Sequence, residues 1–195
     1  MRQSIKYSLL FILFNIFVTA NYTYGQTILS DTVLFHCKVN KADFDTLKGE
    51  DFISEIFKSI NDTISLSEFY DRPTLLKCLT PNQKVLFYTY ELERAVNGGS
   101  GFSNFYYNYN RNFSKTVEAL IILKDTSMLK VLNGVHKIYL KNYNQIKRKY
   151  QRGNWNYTDK MFASFDKAYL KRKGNTMKLL ENFVRVHAGE FIQFN

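Results

Sequence analysis

The chain has 195 residues, which is enough for one domain, and 45% hydrophobic and 16% aromatic residues exclude a disordered polypeptide. Two Pro and nine Gly argue against an all-β design with many tight turns. The formal net charge of +10 indicates a surface that attracts nucleic acid, anionic lipid or acidic proteins, although a basic protein without a polyanion partner fits the same charge.

The first 25 residues have the organisation of a secretory signal peptide. Arg2 and Lys6 form a basic start, and residues 7–18 are an apolar run. A helix of that length spans about 18 Å, whereas the hydrocarbon core of a membrane is about 30 Å thick. Small residues suit cleavage after Gly25 or Ala20. We therefore expect an exported protein, periplasmic or extracellular, without a transmembrane span after cleavage and with a charge of +8; an uncleaved anchor is the alternative.

Export changes the interpretation of the two cysteines, Cys37 and Cys78. In an oxidising compartment they can form a disulfide, which would stabilise the fold by about 4 kcal/mol. The alternative is two separate buried thiols that never meet.

Residues 26–49 are predicted to be an N-terminal extension of a helical domain at 50–195. Apolar residues alternate over 32–39, which favours a short extended segment. From residue 50 onwards the helical period dominates. Apolar residues from Phe52 to Ile60 predict a helix over 50–60, and residues 65–71 are predicted to be a short helix or a loop.

The best-marked helix begins at Pro81. Thr80 is a good N-cap, Pro81 suits the first helical position, and Gln83 completes a capping box. The Asn-Gly-Gly sequence at 97–99 predicts the end of this helix, with a positive φ at Gly98 or Gly99.

Four further helices are predicted, and together they make the protein an all-α, single compact multi-helix domain. Residues 141–158 are predicted to be a polar, basic connector. The apolar stripes that indicate the four helices contain Phe113, Val117, Leu120 and Ile121; Met128, Leu132, Val135 and Tyr139; Met161, Phe165 and Ala168; and, in a last helix from Asn175 or Thr176 nearly to the end, Met177, Leu180, Val184, His187 and Phe191.

No catalytic motif stands out in the sequence. His187 and Glu190 are three residues apart on the last predicted helix and could face one metal ion, but His187 lies on the apolar stripe, which favours a core or rim histidine. The glycine-rich segment 97–101 follows a helix and lacks a closing Lys-Ser/Thr, so it does not predict a phosphate loop. We predict no metal and no cofactor.

Two basic runs and one aromatic cluster are further candidate sites. The cluster at 105–109 lies beside Arg111, and basic and aromatic residues together can form a groove that stacks single-stranded nucleic acid. The alternative is that the basic runs are solvated helix ends and the aromatic residues are core. The runs are Lys147, Arg148 and Lys149, and Lys171, Arg172 and Lys173.

Several blocks of the sequence follow the order found in one known family. They are Leu79-Thr80-Pro81, Glu91-Leu92-Glu93, Val96-Asn97-Gly98-Gly99, Phe102 to Asn108, Thr116 to Leu120, Phe165-Asp166 with Tyr169, and Phe183-Val184 with His187 and Glu190-Phe191. Over about residues 50–193 the chain resembles the all-helical domain of bacterial DNA-mimic proteins, a family largely of unknown function. The resemblance implies a set of binding residues that are structural first: Asn97, Gly98, Gly99, Phe102, Asn104, Phe105 and Asn108.

The chain departs from the family in ways that bear on function. Ala95 and Asn104 replace the usual Glu and Gln, and Ser100 and Gly101 look inserted. A DNA mimic needs a large acidic surface, whereas this chain has 27 Lys and Arg against 17 Asp and Glu. The resemblance therefore implies the fold, and we do not expect DNA mimicry.

These observations predict a non-enzymatic protein-binding domain in the cell envelope. Its partner is unknown, and it should be acidic if the basic faces are used. One alternative is an envelope or extracellular enzyme with a site assembled from scattered residues such as His187, Glu190, Glu93 and Asn97. The other is a polyanion-binding protein that uses the basic runs.

Overall fold

A computed structural model describes residues 37–38, 41–66, 76–77, 79–172 and 174–193. The predicted signal peptide, Cys78 and Lys173 lie outside these residues, and Cys37 is described by its backbone alone. Cleavage and the disulfide therefore stay predictions. Among the described residues, no helix combines the length and apolarity needed to cross a membrane.

The described chain is helical apart from one pair of two-residue strands, which confirms the predicted all-α class. Three single-turn 3-10 helices occupy Asn110–Asn112, Trp155–Thr158 and Ala188–Glu190. In chain order the other elements are β1 (Cys37–Lys38), α1 (Lys41–Thr46), α2 (Gly49–Leu66), α3 (Pro81–Asn97), α4 (Gly101–Asn108), α5 (Phe113–Ile122), α6 (Thr126–Lys141), α7 (Tyr143–Gln151), α8 (Asp159–Leu170), α9 (Asn175–Val186) and β2 (Ile192–Gln193).

Helix α3 begins as the sequence predicts. The Thr80 side chain accepts a hydrogen bond from the Gln83 amide at 3.2 Å, and the Gln83 side chain accepts one from the Thr80 amide at 3.1 Å. The two bonds satisfy amide groups that would otherwise have no partner at a helix start. The helix ends at Asn97, and Gly99 has a φ of 113°, which confirms the predicted positive φ.

Helix α3 lies between two clusters of buried apolar side chains and contributes to both. This explains why most of its residues from 83 to 96 are buried, on more than one face. The first cluster joins α2, the first half of α3, α9 and β2, and includes Phe52, Ile53, Ile56, Phe57, Leu86, Phe87, Leu180, Val184 and Phe191. The second joins the second half of α3 with α4, α5, α6 and α8, and includes Leu92, Phe102, Phe105, Tyr106, Leu120, Met128, Leu132, Phe162 and Tyr169.

The start of the described chain is fastened to its end. Strands β1 and β2 pair in parallel, with Cys37 opposite Ile192, so an extended segment within 32–39 is present at 37–38. The Arg185 guanidinium donates to the carbonyl oxygens of Phe44 at 2.7 Å and Leu47 at 2.6 Å. Helix α9 therefore holds the loop and helix that precede α2.

The last helix is shorter than predicted. Helix α9 ends at Val186, and His187 caps it instead of continuing the apolar stripe. The Glu190 carboxylate accepts hydrogen bonds from the Thr80 hydroxyl group at 2.7 Å and from the side-chain Nδ2 of Asn82 at 2.6 Å. These bonds and the pairing of β2 stabilise a turn and a strand where the helical period alone would continue the helix.

The predicted connector at 141–158 is wrong, because it contains helix α7 and a 3-10 helix. Ile146 is the one buried residue of α7, so the sequence shows no apolar stripe there. The Tyr150 hydroxyl group lies 2.8 Å from Thr158 Oγ1, which joins the two helices. Helix α4 was also not predicted, and α2 extends six residues beyond the predicted end at 60.

Candidate functional site

Four of the seven residues that the family resemblance implied make packing or hydrogen-bond contacts within the fold. Phe102 and Phe105 are core side chains, at 0% and 1% exposure. The Asn104 side chain donates to the Ala95 carbonyl oxygen at 2.8 Å, and the exposed Asn108 donates to Asn104 at 2.6 Å. This chain of hydrogen bonds fixes α4 against the end of α3.

The glycine-rich turn is also explained by packing. Gly101 has a φ of 55°, and a Cβ at this position would lie 2.2 Å from Asp166 Oδ1. The same carboxylate oxygen accepts a hydrogen bond from the Phe102 backbone amide at 2.9 Å, so Asp166 on α8 caps the start of α4. Burial raises the pKa of Asp166 even though this hydrogen bond opposes the shift. Asp159 and Tyr169 line the adjoining cavity of about 330 Å³.

A buried carboxyl group lies near the end of α3. Glu93 is 3% exposed, and its Oε2 accepts the Tyr169 hydroxyl group at 2.7 Å. Its Oε1 has no hydrogen-bond partner among the described residues. Burial disfavours the charged form and raises the pKa of Glu93. Burial likewise raises the pKa of Tyr169.

Arg172 was predicted to lie on a basic surface, and this prediction is wrong. Its side chain is 11% exposed and forms an ion pair with Asp125, whose side chain is 1% exposed; the nearest N···O distance is 2.5 Å. The pair forms because the end of α8 meets Asp125, the N-cap of α6. Burial alone would raise the pKa of Asp125, but hydrogen bonds from the Met128 amide, Thr176 and Arg172 hold it below its usual value. In the same run Lys171 is exposed.

The first basic run does face solvent. Lys147 and Arg148 are exposed on α7, and Lys149 places its ammonium group 5.5 Å from the centre of the Tyr157 ring. The aromatic cluster near Arg111 does not form a stacking platform, because Phe105 and Tyr106 are core residues; Tyr107 is exposed.

The scattered residues considered for an enzyme do not converge. Glu190 contacts Thr80 at the start of α3, whereas Glu93 lies thirteen residues further along, about 20 Å by the rise of an α-helix. His187 Nδ1 lies 2.9 Å from the Phe183 carbonyl oxygen of its own helix. In the ranges that the structure describes, no group of three or more His, Cys, Asp or Glu could hold a metal ion.

A groove that the sequence analysis did not identify opens between α3 and α5, with a volume of about 560 Å³. Lys84 Nζ donates to the Lys77 carbonyl oxygen at 3.2 Å, and Lys115 pairs with Glu118 at 3.0 Å. Val85 and Ala119 are buried and form its apolar floor, whereas Lys77, Arg111 and Lys115 are exposed and give it a basic rim. Its apolar lining is Leu76, Pro81, Val85, Tyr88, Ala119 and Ile122, and its polar lining is Lys77, Lys84, Arg111, Asn112, Lys115 and Glu118.

A family model described as DMP19-like protein matches residues 77–187. The chain belongs to the DMP19-like protein family. The matched residues include α3 to α9 and both walls of the groove, so the predicted DNA-mimic-like helical domain is confirmed over a shorter range than 50–193. No curated protein and no solved structure matches the chain.

The DMP19-like region is strongly basic, and its few acidic side chains are mostly withdrawn from the surface. Residues 77–187 contain twenty Lys and Arg against seven Asp and Glu. Of these seven, Glu91, Glu93 and Asp125 are buried. Glu118 is the exposed one, and it pairs with Lys115. Exposed cations therefore outnumber exposed carboxylates in the described part of this region.

Proposed function

We propose that the protein is an exported, non-enzymatic binding domain of the cell envelope, and that its partner is an acidic protein. The observation that carries this proposal is the reversed charge of the DMP19-like region, in which cations dominate and Glu118 is the exposed carboxylate. A DNA mimic attracts proteins with basic DNA-binding faces. A basic domain repels such proteins and attracts acidic ones.

The cations that support this interaction are those at the surface. Lys147 and Arg148 are exposed on α7, and Lys171 is exposed after α8. Arg172 is excluded, because its guanidinium is engaged by Asp125 and its reversal would leave a buried carboxylate unpaired.

The test is capture of partners from the envelope fraction of the source cells, with the full chain as bait and mass spectrometry as readout. We expect recovery of acidic proteins, with yields that fall as salt is raised from 50 to 300 mM because exposed charges are screened. A variant with Lys147→Glu and Arg148→Glu should recover less than the wild type. The matched control carries Lys147→Gln and Arg148→Gln, which removes charge without reversing it, and should give an intermediate yield.

The opposite result would overturn the proposal. Recovery of a basic DNA-binding protein, with a yield that rises in the charge-reversed variant, would mean that the chain acts as a DNA mimic.

A further inference from the structure

We propose that the groove between α3 and α5 is a docking site for an acidic amphipathic helix of the partner. This inference rests on the proposed function insofar as it takes the partner to be an acidic protein. Each wall of the groove is one face of a helix, with residues at helical spacing over two turns, about 10 Å. The faces are Pro81, Lys84, Val85 and Tyr88 on α3, and Lys115, Glu118, Ala119 and Ile122 on α5.

Two neighbouring helices with an open furrow between them provide the surface on which a third helix packs. The apolar stripe of such a helix would fill the floor with side chains at i, i+3, i+4 and i+7. A volume of about 560 Å³ lies within the range of clefts that bind ligands, so several anchor side chains can enter.

The cations lie at both ends of the groove. Asn112 donates to Glu91 at 2.9 Å, which places the start of α5 beside the second half of α3. Arg111 and Lys115 therefore flank the Tyr88 end. Lys84 and Lys77, which are joined by a hydrogen bond, flank the end at Pro81.

This distribution of charge selects the occupant. A helix with carboxylates about two turns apart, on either side of an apolar stripe, would meet cations at both ends. A small amphiphile with a single anionic head group would satisfy the cations at one end alone. A second copy of this chain would bring like charge to the rim, because the chain carries a formal charge of +10.

Exposed apolar side chains provide a sharp test of the site. Ile121 and Ile122 are neighbours at the end of α5 and are 57% and 51% exposed. Ile122 lines the groove, whereas Ile121 does not. Ile122→Asp would place an anion against the docked acidic helix, and Ile121→Asp is its matched control, since both replace a surface side chain with similar exposure.

The probe is a fluorescein-labelled peptide of about 18 residues, with Leu at i, i+3, i+4 and i+7 and Glu on both sides of this stripe. A scrambled peptide of the same composition is the control for charge alone. We expect anisotropy titrations at low salt to show binding of the patterned peptide that is at least tenfold tighter than binding of the scrambled one. Ile122→Asp should weaken binding at least tenfold, and Ile121→Asp by less than about threefold. Arg111→Glu and Lys84→Glu should each weaken it, because each removes a cation from one end.

Equal binding of both peptides, or equal loss in both Asp variants, would overturn the inference. So would complete displacement of the peptide by dodecanoate, which would identify a small anionic amphiphile as the occupant. The capture experiment separates the two proposals: if Ile122→Asp recovers the acidic partner as well as the wild type does, the groove is not the docking site and the proposed function stands. If the peptide binds as expected and the wild type captures no acidic protein, the proposed function fails and the groove remains a site for acidic helices.

Discussion

Glu93 is a carboxyl group held inside a helical core, and its environment sets its titration. The Tyr169 hydroxyl group donates to Oε2, whereas Oε1 has no partner in the described structure. Because burial raises the pKa of Glu93, its charged form is less stable in the folded chain than in the unfolded chain.

We predict that Glu93→Gln stabilises the protein at alkaline pH. The folded pKa lies above the unfolded value of about 4.3, so stability falls as the pH rises from that value through the folded pKa. Gln keeps an acceptor for Tyr169 and does not titrate. Thermal unfolding at pH 8 should show a higher Tm for Glu93→Gln than for the wild type, and the two should converge near pH 4. Each 1 kcal/mol corresponds to about 2–4 °C at this chain length.

Glu118→Gln is the control for this experiment, because the Glu118 side chain is exposed. It should change stability by no more than about 0.5 kcal/mol at either pH. A lower Tm of Glu93→Gln at pH 8 would mean that the carboxylate is charged and stabilising in the core.

Substitutions at Gly99 and Gly101 distinguish the cost of backbone strain from the cost of a side-chain clash. Both have positive φ, at 113° and 55°, but a Cβ at Gly99 would meet no atom within 4 Å, whereas one at Gly101 would overlap Asp166. Gly99→Ala should cost about 1 kcal/mol in the free energy of unfolding, from strain alone. Gly101→Ala should cost more, since Asp166 must also move from the Phe102 amide. Urea unfolding measures the free energy of unfolding of both variants. Equal losses would show that Asp166 moves aside without a cost in stability.

Arg172 shows the limit of sequence reading at the residue scale. Three consecutive basic residues are typical of a solvated helix end, and Lys171 is exposed as that pattern indicates. Arg172 instead turns inward, because Asp125 lies against it from a part of the chain 47 residues away. A pattern of neighbouring residues cannot indicate a contact between residues so far apart in the sequence. The family pattern identified the block from Phe102 to Asn108, but it did not indicate that the core aromatic residues of this block are buried.

At the scale of single elements, α7 was not predicted, and one of its side chains is buried in the fold. Ile146 is 1% exposed and is the buried residue of α7, whereas its neighbour Lys147 is exposed. We predict that Ile146→Ala lowers the free energy of unfolding by about 2–4 kcal/mol, because it leaves a cavity under the helix. Lys147→Ala, the control, should stay within about 0.5 kcal/mol. Thermal unfolding measures the total loss of stability in each variant. Hydrogen exchange should show early opening of residues 143–151 in Ile146→Ala. Equal exchange in both variants would mean that α7 is held by other contacts.

Elements were predictable where their signals are local. Helix α3 is capped by Thr80 and ends before Gly99, because capping and positive φ depend on a few adjacent residues. The end of α9 was not predictable, since it depends on Glu190 reaching Thr80. The groove was missed for the same reason. The sequence shows the faces of α3 and α5, but only the fold makes them neighbours.

At the scale of the whole molecule, export remains a prediction from the basic start and short apolar run of residues 1–18. We expect the intact mass of the native protein to correspond to a chain that begins at Gln26 or Asn21. Expression with Arg2 and Lys6 replaced by Glu is the control, because loss of the basic start should reduce cleavage. Recovery of the wild type with Met1 retained, in the membrane fraction, would indicate an anchor.

The pairing of β1 with β2 has a consequence for the order of folding. Cys37 and Lys38 pair with a strand that begins at Ile192, so the pair cannot form until residues 192–193 have been synthesised. Contacts of such high sequence separation form late, because closing a long loop is entropically costly. The hydrogen bond from the Gly49 amide to Glu181, at 2.7 Å, likewise cannot form until α9 has been synthesised. A polypeptide stalled before α9 would therefore leave uncovered the part of the α2 apolar face that α9 covers in the folded chain, and exposed apolar surface of this kind is what chaperones recognise.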